Sequence, residues 1–126
     1  MYLKKLIVSA IVFVLLDFSY LFSMRTAFEQ QVVKIQGSPL SLNWVSTLLC
    51  YVFLIGGLYY FILRENRGWK EAAILGFVIY GVYDTTTLSL FKNWSWTTAL
   101  FDIIWGTLLF SLTTVITYKV ENLRLK

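Results

Sequence analysis

Asp17, Asp84 and Asp102 stand in stretches that are otherwise almost wholly apolar. Hydroxyl and ring N–H donors accompany each of them. Tyr20 follows Asp17, Tyr80 and Tyr83 precede Asp84 while Thr85 and Thr87 follow it, and Thr98 and Trp105 flank Asp102. A carboxyl in apolar surroundings is stabilised by taking up a proton, by accepting hydrogen bonds or by binding a cation. The chain has no histidine, and no Lys or Arg falls within the apolar stretches. His-based catalysis and His-ligated metal sites are therefore excluded, and no basic side chain there pairs with the acids. The chemistry left is binding of a proton, a cation or a cationic lipid headgroup. The expected ligand-binding set is Asp17, Asp84, Asp102, Tyr20, Tyr80, Tyr83, Thr87 and Trp105. No cofactor is assigned. The competing reading is a neutral hydrogen-bonded knot that only fixes helix register.

The elements that must position these groups follow from composition. Hydrophobic residues make up 58% of the 126 and charged residues 14%, against roughly 25% charged in an average soluble domain. Mean hydropathy is +0.68. The apolar residues run on without the alternation or amphipathic period of soluble folds. The pattern predicts an all-α membrane protein, a single domain of four transmembrane helices at about 6–24, 44–63, 71–91 and 97–118, each near the length that crosses a bilayer. Between the first two, Phe28, Val32 and Ile35 recur at helical spacing among Glu29, Gln30, Gln31 and Lys34. That spacing fits a short amphipathic segment at the membrane surface; an extension of the first helix is the alternative. Gly37-Ser38-Pro39 would end it, and Asn43 would cap the second helix. A cleaved signal peptide is the minor alternative for the first apolar run, since Lys4 and Lys5 precede it. Cys50, the one cysteine, reads as a packing residue, because an apolar site disfavours the thiolate.

Four spans place both ends of the chain on one side. Lys4, Lys5, Arg64, Arg67, Lys70, Lys119, Arg124 and Lys126 fall on that side, and only Arg25, Lys34 and Lys92 on the other. By the positive-inside rule the termini are cytoplasmic. The same distribution discounts nucleic acid as the reason for the formal net charge of +4, because the basic residues flank the spans.

The three aspartates share one depth. Asp17 precedes Arg25 by eight residues, Asp84 precedes Lys92 by eight, and Asp102 follows Trp96 by six. At about 1.5 Å per residue, all three lie roughly 9–12 Å below the outer boundary. They also lie on packing faces. Ala72, Gly76, Tyr80 and Asp84 recur every four residues, as do Thr98, Asp102 and Gly106, and small residues at this spacing mark close helix contacts. Ser9, Phe13, Asp17 and Tyr20 share a side of the first helix. The carboxyls are therefore expected to point into the bundle. One Asp at a helix centre costs about 2.5–3.5 kcal/mol on the insertion scale, so three need compensation. Leu15-Leu16-Asp17-Phe18-Ser19-Tyr20 and Leu100-Phe101-Asp102-Ile103-Ile104-Trp105 also share a short pattern on oppositely directed helices, as an inverted repeat would produce.

Asp17-x-x-Tyr20-Leu21, Tyr80-x-x-Tyr83-Asp84-x-Thr86, and Trp94 followed by Asp102-x-x-Trp105-Gly106 resemble a family of small membrane proteins known as domain of unknown function 2177. The resemblance covers nearly the whole chain. This chain has Tyr20 where the family pattern usually has Trp, Thr87 where it has Asn, and Ser95 where it has Pro. The resemblance implies a four-helix protein of the bacterial inner membrane and supplies no activity.

Three functions remain. The first is a small oligomeric transporter or proton- or cation-handling protein built on the three Asp, a chain this size being expected to act as a homo-oligomer. The second is a membrane enzyme or binding protein acting on lipid, with an Asp pair as general acid and base and a lateral groove for the substrate. The third is an accessory subunit in which the acids are structural. No nucleophile motif, Gly-rich phosphate loop or His box is present, so the reading leans away from an enzyme. The lipid bilayer is the partner common to all three.

Overall fold

The computed structural model describes residues 2–36, 44–91 and 94–125. Apolar sequence without interior Pro folds here into four long helices, and no strand occurs among the described residues. They are α1 (Tyr2–Gln36), α2 (Trp44–Leu58, continuing as a π turn over Tyr59–Leu63), α3 (Trp69–Leu90) and α4 (Trp96–Leu125). All four are long and apolar enough to cross a membrane. Their outward faces carry large apolar side chains such as Leu15, Phe53, Phe77 and Leu100, the surface that lipid covers.

The separate amphipathic segment expected after the first helix is not seen. α1 runs unbroken for 35 residues, well beyond the about 20 that cross a bilayer. No Gly or Pro interrupts the sequence between Met24 and Gln36, so nothing breaks the hydrogen-bond ladder. The Phe28 side continues the inward face of α1 rather than forming a new one: its ring meets that of Tyr20 at 6.1 Å. Gln31 is buried, and its Oε1 accepts a hydrogen bond of 2.7 Å from the Ser95 backbone N–H, tying the end of α1 to the start of α4. Gly37-Ser38-Pro39, the Asn43 cap and Lys92 of the α3–α4 turn lie outside the described residues.

α4 is the central helix. It packs along α3 on one side and α1 on the other, while α2 packs chiefly on α1. The core is Phe13 of α1, Leu58, Ile62 and Leu63 of α2, Ala72 of α3 and Leu109 and Phe110 of α4. Phe13 meets Phe110 edge-on at 5.6 Å. α3 and α4 approach through glycine: a Cβ at Gly76 would press on the Gly106 carbonyl and on Phe110, and one at Gly106 would enter the Tyr80 ring. Moving four residues along α3 matches four residues back along α4, so Gly76 opposite Phe110 and Tyr80 opposite Gly106 bring Asp84 opposite Asp102.

The other end of the bundle is held by Lys5. This lysine flanks the first span, where a solvated charge is the ordinary expectation, yet it is buried. Its Nζ donates to Asn66 Oδ1 at 2.6 Å and to the Leu63 carbonyl at 3.3 Å, and lies 3.7 Å from Glu121. The π turn supports this arrangement, with the Arg64 N–H bonding back five residues to Tyr59. Asn66 takes φ 55°, a left-handed conformation that Asn tolerates better than most residues. The Tyr118 hydroxyl donates to the Arg67 carbonyl at 2.6 Å.

The Gly76–Gly106 crossing yields a stability prediction. Gly106→Ala forces a methyl into the Tyr80 ring and is expected to lower stability by about 1–3 kcal/mol or more. Gly56→Ala and Gly81→Ala, where nothing lies near an added Cβ, stay within about 0.5 kcal/mol of wild type. Unfolding in detergent micelles followed by circular dichroism reads the difference.

Candidate functional site

Asp17 is buried on α1 with both carboxyl oxygens occupied. Oδ2 accepts from the Tyr51 hydroxyl of α2 at 2.5 Å, and Oδ1 accepts from the Trp105 ring N–H of α4 at 3.0 Å. Tyr51 is itself held between Phe13 and Phe18, with ring centroids at 6.2 and 6.0 Å. Trp105 is fixed by Tyr20, whose ring lies parallel to it at 4.8 Å. The Tyr20 hydroxyl reaches toward Asp102 Oδ1 at 3.5 Å, the long limit of a hydrogen bond. A short aromatic chain therefore runs from Asp17 through Trp105 and Tyr20 to Asp102.

Asp84 and Asp102 face each other within hydrogen-bonding reach across the α3–α4 contact. Asp84 is only 1% exposed, and its Oδ2 has no hydrogen-bond partner among the described residues. Among the described residues neither acid takes part in an ion pair; the pairs found there are Lys5–Glu121, Arg64–Glu65 and Arg67–Glu71. Two bare carboxylates this close would repel, and a shared proton or cation would relieve that repulsion.

The remaining expected site residues fall differently. The Tyr80 ring covers Gly106 and lies within electrostatic reach of Asp17 and Asp102. Tyr83 is 66% exposed on the outer side of α3. The Thr87 hydroxyl is spent on its own helix, donating to the Tyr83 carbonyl at 2.9 Å. Thr85 and Thr86 do the same, bonding to carbonyls four residues back. The three acids do not gather as one metal-ligating group: no cluster of three or more His, Cys, Asp or Glu suited to a metal occurs among the described residues. Tyr51 was not foreseen. Its signal lay in the depth count that placed the acids, for it stands seven residues beyond Trp44 at the start of its helix, about 10 Å in.

The family described as "Predicted membrane protein (DUF2177)" matches residues 2–119. The chain belongs to the DUF2177 family. The DUF2177 match takes in α1, α2, α3 and most of α4, and with them Asp17, Asp84, Asp102, Tyr51 and Trp105. No curated protein and no solved structure matches the chain. Family membership together with four spanning-length helices makes this DUF2177 protein an integral membrane protein.

Removing a donor to Asp17 tests the geometry. Tyr51→Phe leaves the aromatic packing but deletes one hydrogen bond to a carboxylate, which is expected to cost about 1.5–3 kcal/mol. Tyr83→Phe alters an exposed hydroxyl and stays within about 0.5 kcal/mol of wild type. Unfolding of the purified protein in one detergent distinguishes the two.

Proposed function

We propose that this DUF2177 protein handles protons in the bacterial inner membrane, with the Asp84–Asp102 pair as the proton-binding site. The observation that carries this reading is Asp84 itself. It is enclosed, opposes a second carboxyl, and has one oxygen without a partner among the described residues. An intramembrane acid facing the bundle interior without a basic partner is by default a functional feature. In this reading the three acids divide. Asp17, held by Tyr51 and Trp105, positions α1 against α4 and α2. Asp84 and Asp102 exchange the proton. Tyr20 links the two parts through its stacking on Trp105 and its hydroxyl near Asp102.

A proton is favoured over a divalent cation because both oxygens of Asp17 are already taken by neutral donors, leaving two carboxyls where such an ion wants six or more oxygen ligands. Lipid chemistry draws less support. An open groove of about 330 Å³ does run between α2 and α3, lined by Phe61, Ile62, Arg67, Glu71, Ile74, Leu75 and Val78. Its lining stops six residues short of Asp84, about 9 Å along the helix, so the acids do not face it. Cytoplasmic termini are supported by the excess of Lys and Arg on the side of the chain ends. A chain this small is expected to move protons across the bilayer as a homo-oligomer.

Proteoliposomes loaded with a pH-sensitive dye test this. Wild-type protein is expected to admit protons under an imposed pH gradient, and Asp84→Asn or Asp102→Asn to abolish that uptake. Unchanged uptake in Asp84→Asn would overturn the reading.

A further inference from the structure

The inward face of α1 repeats every four residues as Lys5, Ser9, Phe13 and Asp17, all four buried. Its contacts with α4 descend in step. Asp17 meets Trp105, Phe13 meets Phe110, and Lys5 meets Tyr118 and Glu121. By the same steps, Ser9 stands at the level of Thr113 and Thr114. Polar groups thus occupy both ends of this seam, with apolar Phe13, Leu109 and Phe110 between them.

The lower polar part contains two hydroxyls that nothing among the described residues satisfies. Thr113, Thr114 and Thr117 are all fully enclosed. Thr114 donates to the carbonyl four residues back, at 2.8 Å, the ordinary solution for a threonine in an apolar helix. Thr113 Oγ1 and Thr117 Oγ1 have no partner among the described residues, although the same solution is open to both. They lie one turn apart, about 6 Å along the axis, a spacing that one or two water molecules span with hydrogen bonds to each. One turn further on, Glu121 is half-exposed beside Lys5, and Asn66, which accepts from Lys5, is exposed. The line Thr113, Thr117, Glu121 therefore leads from the interior to the surface at the end bearing both termini.

We propose that the interior of α4 carries a hydrated half-path from the Lys5–Glu121 mouth past Thr117 to Thr113, with water as its ligand, and that Phe13 and Phe110 close it off from the Asp84–Asp102 pair. Its use by protons rests on the function proposed above; its hydration does not. Lys5 and Glu121 form the mouth, the two threonine hydroxyls orient the waters, and the edge-on phenylalanine pair is the block.

Substituted cysteines read by silver ion test the path. In a Cys50→Ala background, Thr113→Cys, Thr117→Cys and lipid-facing Leu112→Cys variants are reconstituted and exposed to silver on the side of the termini. Each is then denatured and labelled with a maleimide. Threonine to cysteine nearly conserves size, and unfolding transitions matching that of the Cys50→Ala parent show that each variant is folded. Loss of maleimide labelling at positions 113 and 117, with labelling retained at 112, is the expected result. Full labelling at 113 and 117 overturns the path. Dye-reported proton uptake, measured in parallel, separates the two ideas. Silver protection without uptake in the wild type removes the proton function and keeps the hydrated path, whereas uptake without silver protection removes the path alone.

Discussion

α3 and α4 cross through Gly76 and Gly106, where any side chain would enter a neighbouring carbonyl or ring. This steric constraint does more than let two helices approach. It fixes their register, because Phe110 and Tyr80 fill the space on either side of the glycines and neither helix can slide by a turn without collision. The register then dictates which residues meet one turn further toward the Thr87–Thr98 end, and those residues are Asp84 and Asp102. Shape complementarity between small and aromatic side chains therefore imposes a contact between two acids that electrostatics alone would oppose.

The energetics of the three acids differ accordingly. A carboxyl at the centre of a spanning helix costs about 2.5–3.5 kcal/mol, and a hydrogen bond to a charged group returns about 1.5–3 kcal/mol. Asp17 has two such bonds, from Tyr51 and Trp105, so its burial is offset by neutral donors. Among the described residues, Asp84 and Asp102 have the long contact from Tyr20 and each other. In the function proposed above, a shared proton offsets their burial. The aromatic chain Trp105–Tyr20 couples the two regions, since moving Tyr20 off Asp102 would also unstack it from the ring that holds Asp17.

Much of this was legible in the sequence, because lipid leaves few options. Long apolar runs specified four helices. The four-residue recurrence of Ala72, Gly76, Tyr80 and Asp84 against Thr98, Asp102 and Gly106 specified the α3–α4 face. Sequence spacing was a poorer guide where it concerned one helix alone. Phe28, Val32 and Ile35 have the period of a surface helix, but a helix without a breaker continues, and α1 does. Tyr83 and Thr87 sit near Asp84 in the chain, yet Tyr83 points outward and Thr87 turns back on its own backbone. Tyr51 was missed because its acid is on another helix, and Lys5 because a flanking lysine is ordinarily solvated whereas here three acceptors converge on it. Local pattern marks the faces; which groups meet across them depends on how the helices pair.

The central claim is that Asp84 and Asp102 hold a proton between them. Infrared spectroscopy of the reconstituted protein, with aspartate labelled isotopically, addresses it directly through the carbonyl stretch of a protonated carboxylic acid. A protonated-aspartate band is expected in wild type and in Asp17→Asn, and its loss is expected in both Asp84→Asn and Asp102→Asn. Absence of any such band in the wild type, or its survival in Asp84→Asn and Asp102→Asn alike, would contradict the account.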